Sequence, residues 1–125
     1  MTGTLKILVA DDSAVSSTLI QAILAARHHD VATARDGLEA WKMWQANPYQ
    51  VVVSDWMMPG IDGLELCRRI RGHVPKAQTY FILQTVRRDG FTEALEAGVD
   101  AFIGKPVAPA ELLSRLETAA QVLGL

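Results

Sequence analysis

Two adjacent aspartates, Asp11 and Asp12, a third aspartate at Asp55, a hydroxyl at Thr85 and an ammonium at Lys105 are the groups of this 125-residue chain whose types could do chemistry together. Each follows a short apolar run. Ile7-Leu8-Val9-Ala10 precedes the acidic pair, Val51-Val52-Val53 leads to Asp55, Tyr80 to Leu83 leads to Thr85, and Ala101 to Ile103 leads to Lys105. Three carboxylates brought close repel one another, and neutral pH tolerates them where a divalent cation sits among them or where one is protonated. An all-oxygen donor set favours Mg²⁺, or Mn²⁺, over zinc. A hydroxyl and an ammonium at the same place are donors suited to the oxygens of a phosphoryl group. Singly, each residue has a plainer reading. An acidic pair opens many solvated helices, Asp55 alone would be a turn residue before Pro59-Gly60, and Thr85 or Lys105 alone would be an ordinary strand-end or surface side chain. Their joint occurrence at strand ends carries the functional reading.

The elements that must position them follow one grammar. After Ser13, apolar residues at Val15, Leu19, Ile20, Ile23 and Leu24 recur with helical spacing. Val31 to Ala34 leads to a helix from about Gly37 to Gln45, and Asp55 is followed by a helix around Leu64 to Arg71. A helix near Thr92 to Ala97 comes after Thr85. Pro109 stands where a last helix begins, with Leu112, Leu113, Leu116, Ala120 and Leu123 as its apolar stripe. Strands that are apolar on consecutive residues are buried on both faces, which requires helices on both sides of a mostly parallel sheet. Five strand-helix units therefore predict a doubly wound α/β fold, with ligands bound beyond the carboxyl ends of the strands. No linker-like composition and no further repeat divides residues 1–125, so one domain is expected.

Composition narrows the function classes. With 12 Lys+Arg against 14 Asp+Glu the net charge is -2, and no basic run exceeds Arg87-Arg88, so bulk charge offers no field for nucleic acid. The lone cysteine, Cys67, excludes an internal disulfide and a cysteine-based zinc site and suits a reducing compartment, making the cytoplasm the default location. No apolar stretch is long enough to span a membrane, and Met1 to Lys6 does not open a signal-like segment. His28, His29 and His73 lie away from the strand ends, and Cys67 within an amphipathic helix reads as a packing residue rather than a reactive thiol.

The segments Val9-Ala10-Asp11-Asp12-Ser13, Asp55-Trp56-Met57-Met58-Pro59-Gly60-Ile61-Asp62-Gly63, Leu83-Gln84-Thr85, Glu96-Ala97-Gly98-Val99-Asp100-Ala101-Phe102 and Gly104-Lys105-Pro106 occur in order. In them, and over nearly its whole length, the chain resembles the receiver domain of two-component response regulators. The resemblance implies a flavodoxin-like, five-stranded parallel sheet of order 2-1-3-4-5 flanked by five helices. It implies Asp55 as phosphoacceptor. Asp12 would be a direct Mg²⁺ ligand, Asp11 a ligand through water, and Asp55 and the backbone carbonyl of Met57 further ligands. Thr85 and Lys105 would contact the phosphoryl oxygens, and Phe102 would be the switch aromatic on the face of helix four, strand five and helix five. A sensor histidine kinase or histidine phosphotransfer protein would be the donor, and a downstream effector protein or domain the reader of that face. The only catalysis implied is self-catalysed phosphotransfer and dephosphorylation. Homodimerisation through the same face on phosphorylation stays open, and a cis Lys105-Pro106 peptide is favoured.

Three positions depart from the usual family pattern. Val86 stands where alanine or glycine is common, so its branched side chain is expected to crowd the approach to the site and slow exchange with bulky partners. Phe102 lacks the hydroxyl of the tyrosine found in many relatives, and Ala108 replaces a capping Asp or Ser, a loss of about 1 kcal/mol at that helix start. Met57 and Arg87 flank the site where the lifetime of the phosphorylated state is tuned. Gly60 and Gly63 are expected to let the loop after Asp55 turn tightly. Among other readings, a phosphatase of the haloacid dehalogenase type needs an acid two residues after the nucleophile, where Met57 stands. A nucleotide or flavin carrier needs a phosphate-binding loop where Asp11 and Asp12 stand. A receiver that acts as an adaptor without phosphorylation is the remaining alternative.

Overall fold

The structure, a computed structural model, describes residues 3–73 and 79–125. In chain order the elements are β1 (Lys6–Ala10), α1 (Ala14–Ala25), β2 (Asp30–Ala34), α2 (Gly37–Ala46), β3 (Val51–Asp55), α3 (Gly63–His73), β4 (Tyr80–Thr85), α4 (Phe91–Ala97), β5 (Ala101–Gly104) and α5 (Pro109–Val122). The strands form one parallel sheet in the order β2-β1-β3-β4-β5, as the doubly wound reading predicts. Order reverses between β1 and β3, the point at which sheets of this kind bind ligands beyond the strand ends.

The consecutive apolar residues of the strands divide between two cores by parity. Leu8, Val52, Phe81 and Leu83 pack with Trp44, Leu66, Ile70 and Ala94 beneath α2, α3 and α4. Ile7, Val9, Val53, Ile82 and Ile103 pack with Ile20, Leu24, Leu112 and Leu116 beneath α1 and α5. Burial on both faces is what makes the three central strands read as unbroken apolar runs. β2 departs from that expectation: Ala34 is its only fully buried residue, because it is an edge strand with a neighbour on one side alone.

Helix starts are set locally. Ser13 Oγ accepts from Ser16 N at α1, and Asp36 Oδ1 accepts from Glu39 N at α2 while Glu39 Oε1 accepts from Arg35 N, a reciprocal cap. Ala108 gives α5 no side-chain cap, as expected, and Pro109 begins the helix. Two strands run further than their apolar stretches: Asp55 and Thr85 are the last residues of β3 and β4. Ladder pairing continues past the apolar residues, joining Asp55 to Gln84 and Thr85 to Gly104. Among the described residues no helix is long and apolar enough to cross a membrane.

Candidate functional site

The five residues singled out by type come together at one edge. β1 ends at Ala10, so Asp11 and Asp12 follow side by side, the first turned inward and buried, the second exposed. Asp11 is held on both oxygens: Oδ1 accepts from Ser13 N at 2.9 Å and Oδ2 from Gln84 Nε2 at 2.9 Å. Asp55, one strand over, is buried, and its Oδ2 accepts from Lys105 Nζ at 2.6 Å. One carboxylate oxygen from each of Asp11, Asp12 and Asp55 lies within 4.8 Å of the others. Burial pushes the Asp55 carboxyl above its ordinary pKa, the Lys105 ammonium pulls it down, and the charges of Asp11 and Asp12 push it up again. Hard oxygen donors this close, already repelling, fit Mg²⁺ or Mn²⁺ by their chemistry.

Around this centre the loop after β3 is fixed by two glycines acting in different ways. Gly60 has φ 83°, a left-handed turn that favours glycine. Gly63 is needed for room rather than for turning, since a Cβ there would lie 2.5 Å from the Asp55 carbonyl oxygen and 2.7 Å from Leu83 Cδ1. It opens α3, and its N–H donates to the Trp56 carbonyl at 2.8 Å. Met57 follows on the same loop with its side chain exposed.

Thr85 is buried at the end of β4, its Oγ1 accepting from Arg87 N at 2.8 Å. Val86 next to it is 73% exposed, at the rim of the site. Phe102 is half-buried and meets Phe91 edge-on, ring centroids 4.8 Å apart. Thr85, Phe91 and Phe102 line one open cleft of about 170 Å³. The Lys105-Pro106 peptide is cis.

A match to the response regulator receiver domain family extends over residues 7–117. The chain belongs to that family. A chemotaxis protein CheY homolog of Campylobacter jejuni is 36% identical over 118 residues, covering 90% of each chain. The alkaline phosphatase synthesis transcriptional regulatory protein PhoP of Bacillus subtilis is 35% identical over 114 residues, covering 90% of this chain and 47% of that protein. Among solved structures, the receiver domain of a Francisella response regulator superposes with a TM-score of 0.85 at 31% identity, covering 94% of this chain and 98% of that one.

Three contacts of this receiver's site were not legible from residue type. Gln84, fully buried, reaches across β3 to Asp11. Its signal was a polar residue directly after the apolar run Tyr80 to Leu83, still within β4 and one position before Thr85. Arg87 lays its guanidinium over the Trp56 ring at 4.2 Å, which gives the receiver's β4–α4 loop an anchor beside the acceptor. Phe91 is the partner of Phe102, and no sequence periodicity announces an aromatic contact between a helix start and a strand. The histidines stand apart from the centre as expected: His29 Nδ1 accepts from Leu5 N, and His73 packs edge-on against Trp41 and Trp44. Cys67 is fully buried and its thiol is pushed up to about 12 by burial, the state of a packing residue.

Proposed function

We propose that this receiver accepts a phosphoryl group on Asp55 from a phosphohistidine of a sensor histidine kinase or histidine phosphotransfer protein, in a Mg²⁺-dependent reaction. The observation that carries it is the buried Asp55 carboxylate held 2.6 Å from the Lys105 ammonium and clustered with Asp11 and Asp12. Asp11, Asp12 and Asp55, with the Met57 backbone carbonyl, are the groups that would hold Mg²⁺, or Mn²⁺ in its place. Bound there, the ion supplies positive charge against the phosphoryl oxygens.

An Asp55 oxygen bonds to phosphorus as the phosphorus–nitrogen bond breaks and its electron pair stays on the donor imidazole. Lys105, already beside the acceptor, neutralises developing oxygen charge. The product is an acyl phosphate. Water attacking phosphorus later breaks the bond to Asp55, releases inorganic phosphate and restores the carboxylate, so the state limits itself. The reaction is the receiver's own, on itself, and the chain is not an enzyme with a separate substrate.

The added anion attracts the Thr85 hydroxyl, which gives up its bond to Arg87 N and donates instead to a phosphoryl oxygen. Thr85 and Phe102 line one cleft, so displacement of the first leaves room for rotation of the second. The face of α4, β5 and α5 thereby shifts between two packed arrangements, and a downstream effector protein or domain reads the difference. Cytoplasmic signalling of this kind needs no contact with nucleic acid or membrane by the receiver itself. Whether two phosphorylated receivers pair through this face is settled by mass measured with and without a phosphate mimic.

Intact mass after incubation with Mg²⁺ and acetyl phosphate tests the reading. A gain of about 80 Da, the mass of one phosphoryl group, is expected, lost in Asp55→Asn and with a chelator. No gain with Mg²⁺ binding intact would leave the phosphorylation-independent adaptor as the better account.

A further inference from the structure

Gln84 is a buried group at the centre whose chemistry is only half used. It is fully buried, its Nε2 donates to Asp11 Oδ2 at 2.9 Å, and its Oε1 is buried with no hydrogen-bond partner among the described residues. Its Cα pairs with Asp55 across β3 and β4, while Asp11 follows β1 on the far side of β3. The side chain therefore spans β3 at the level of the acceptor. An ionised Asp11 accepts only, so the amide must turn its NH₂ to Asp11 and cannot flip to pair its oxygen there.

An orphaned buried amide oxygen destabilises a fold, and an apolar side chain in the same place in β4 would remove that penalty at the cost of the donor to Asp11 Oδ2. An amide oxygen left open beside the acidic cluster points to a donor that arrives with the ligand. A hard cation that keeps several of its waters brings such donors, with O–H groups polarised by the ion.

Resting on the receiver reading above, we propose that Gln84 is a positioning residue of the cation centre, orienting Asp11 through Nε2 and offering Oε1 to a cation-bound water. Partners of this outer kind typically tune cation affinity by 10-fold to 100-fold, because they fix the direction of the ligands they touch.

Calorimetric titration of Mg²⁺ into the wild-type protein, Gln84→Met and Gln84→Glu, with metal-free thermal unfolding of each, tests this. Gln84→Met is unbranched, neutral and of similar length, and removes the orphaned oxygen and the donor to Asp11 Oδ2 together, so it is expected to weaken Mg²⁺ binding by about 10-fold or more and to make the Mg²⁺-induced rise in unfolding midpoint smaller than in wild type. Gln84→Glu sets two acceptors against each other, so its metal-free midpoint is expected to fall and Mg²⁺ to raise it by more than in wild type. Wild-type affinity in Gln84→Met overturns the proposal. If that variant does not fold, Gln84→Glu decides, and a Mg²⁺-induced rise no larger than in wild type overturns it. Absence of Mg²⁺ binding by the wild-type protein would bring down the receiver chemistry and this inference together, whereas an unchanged Gln84→Met removes only the role of Gln84.

Discussion

Lys105 Nζ lies 2.6 Å from Asp55 Oδ2, joining two residues 50 positions apart in the chain. The ammonium is the main force holding down the pKa of a carboxyl that burial pushes up. Lys105→Met is expected to slow phosphorylation by acetyl phosphate by about 10²-fold, the scale for removing one preorganised donor from a transition state. It is also expected to raise the Asp55 pKa further. Intact-mass time courses measure the first effect, and pH titration followed by carboxyl resonances measures the second.

Thr85→Val keeps the buried volume close to constant and removes the hydroxyl that now accepts from Arg87 N. Phosphorylation of Asp55 is expected to proceed, because the acceptor and Lys105 are untouched. The response of Phe91 and Phe102 is expected to disappear. Aromatic NMR spectra with and without acetyl phosphate distinguish the two, and an unchanged Phe102 response would refute the coupling through Thr85.

Val86 stands at the rim, one residue beyond Thr85. Its branched side chain is expected to narrow the approach of a phosphodonor or of an attacking water. Val86→Ala is expected to raise the phosphorylation and dephosphorylation rates several-fold, measured as the gain and decay of the phosphorylated mass. Unchanged rates would mean that the rim does not limit access.

Far from the centre, His29 accepts a hydrogen bond from Leu5 N, and burial, with the nearby Arg27 charge as a lesser cause, holds its pKa below 6.5. The folded protein thus keeps His29 neutral where the unfolded chain binds a proton. The stability His29 contributes is complete above 6.5 and is lost as pH falls from there through the folded value. His29→Asn retains an acceptor and does not titrate, so the fall in unfolding midpoint between about pH 7 and pH 5 is expected to be shallower in the variant. Parallel curves would refute the assignment.

The strand ends were legible because parallel strands buried on both faces read as apolar runs, and a residue that can do chemistry follows each run within two positions. Asp11 comes directly after its run, and Asp55, Thr85 and Lys105 come two residues after theirs. The helix boundaries at Gly37 and Pro109 came from local signals that act within a turn. What stayed hidden depends on contacts across the sheet. Gln84 meets Asp11, 73 residues away, only after the order β1-β3-β4 is known, and Phe91 meets Phe102 only after α4 packs beside β5. The exposure of β2 was likewise invisible, since Val31 to Ala34 looks like any central strand until its place at the edge is seen. Gly63 was legible as a necessary glycine, although its reason is crowding rather than a turn.

That crowding has a mechanical corollary. With no space for even a methyl group between the start of α3 and the Asp55 carbonyl, the main chain beneath the acceptor is wedged against a helix and the Leu83 side chain. If Asp55 takes up a phosphoryl group as proposed, its own strand is close-packed on this side, and the displacement is expected at Thr85 and Phe102 instead. The direction in which information leaves the site is set by which side of the acceptor is locked.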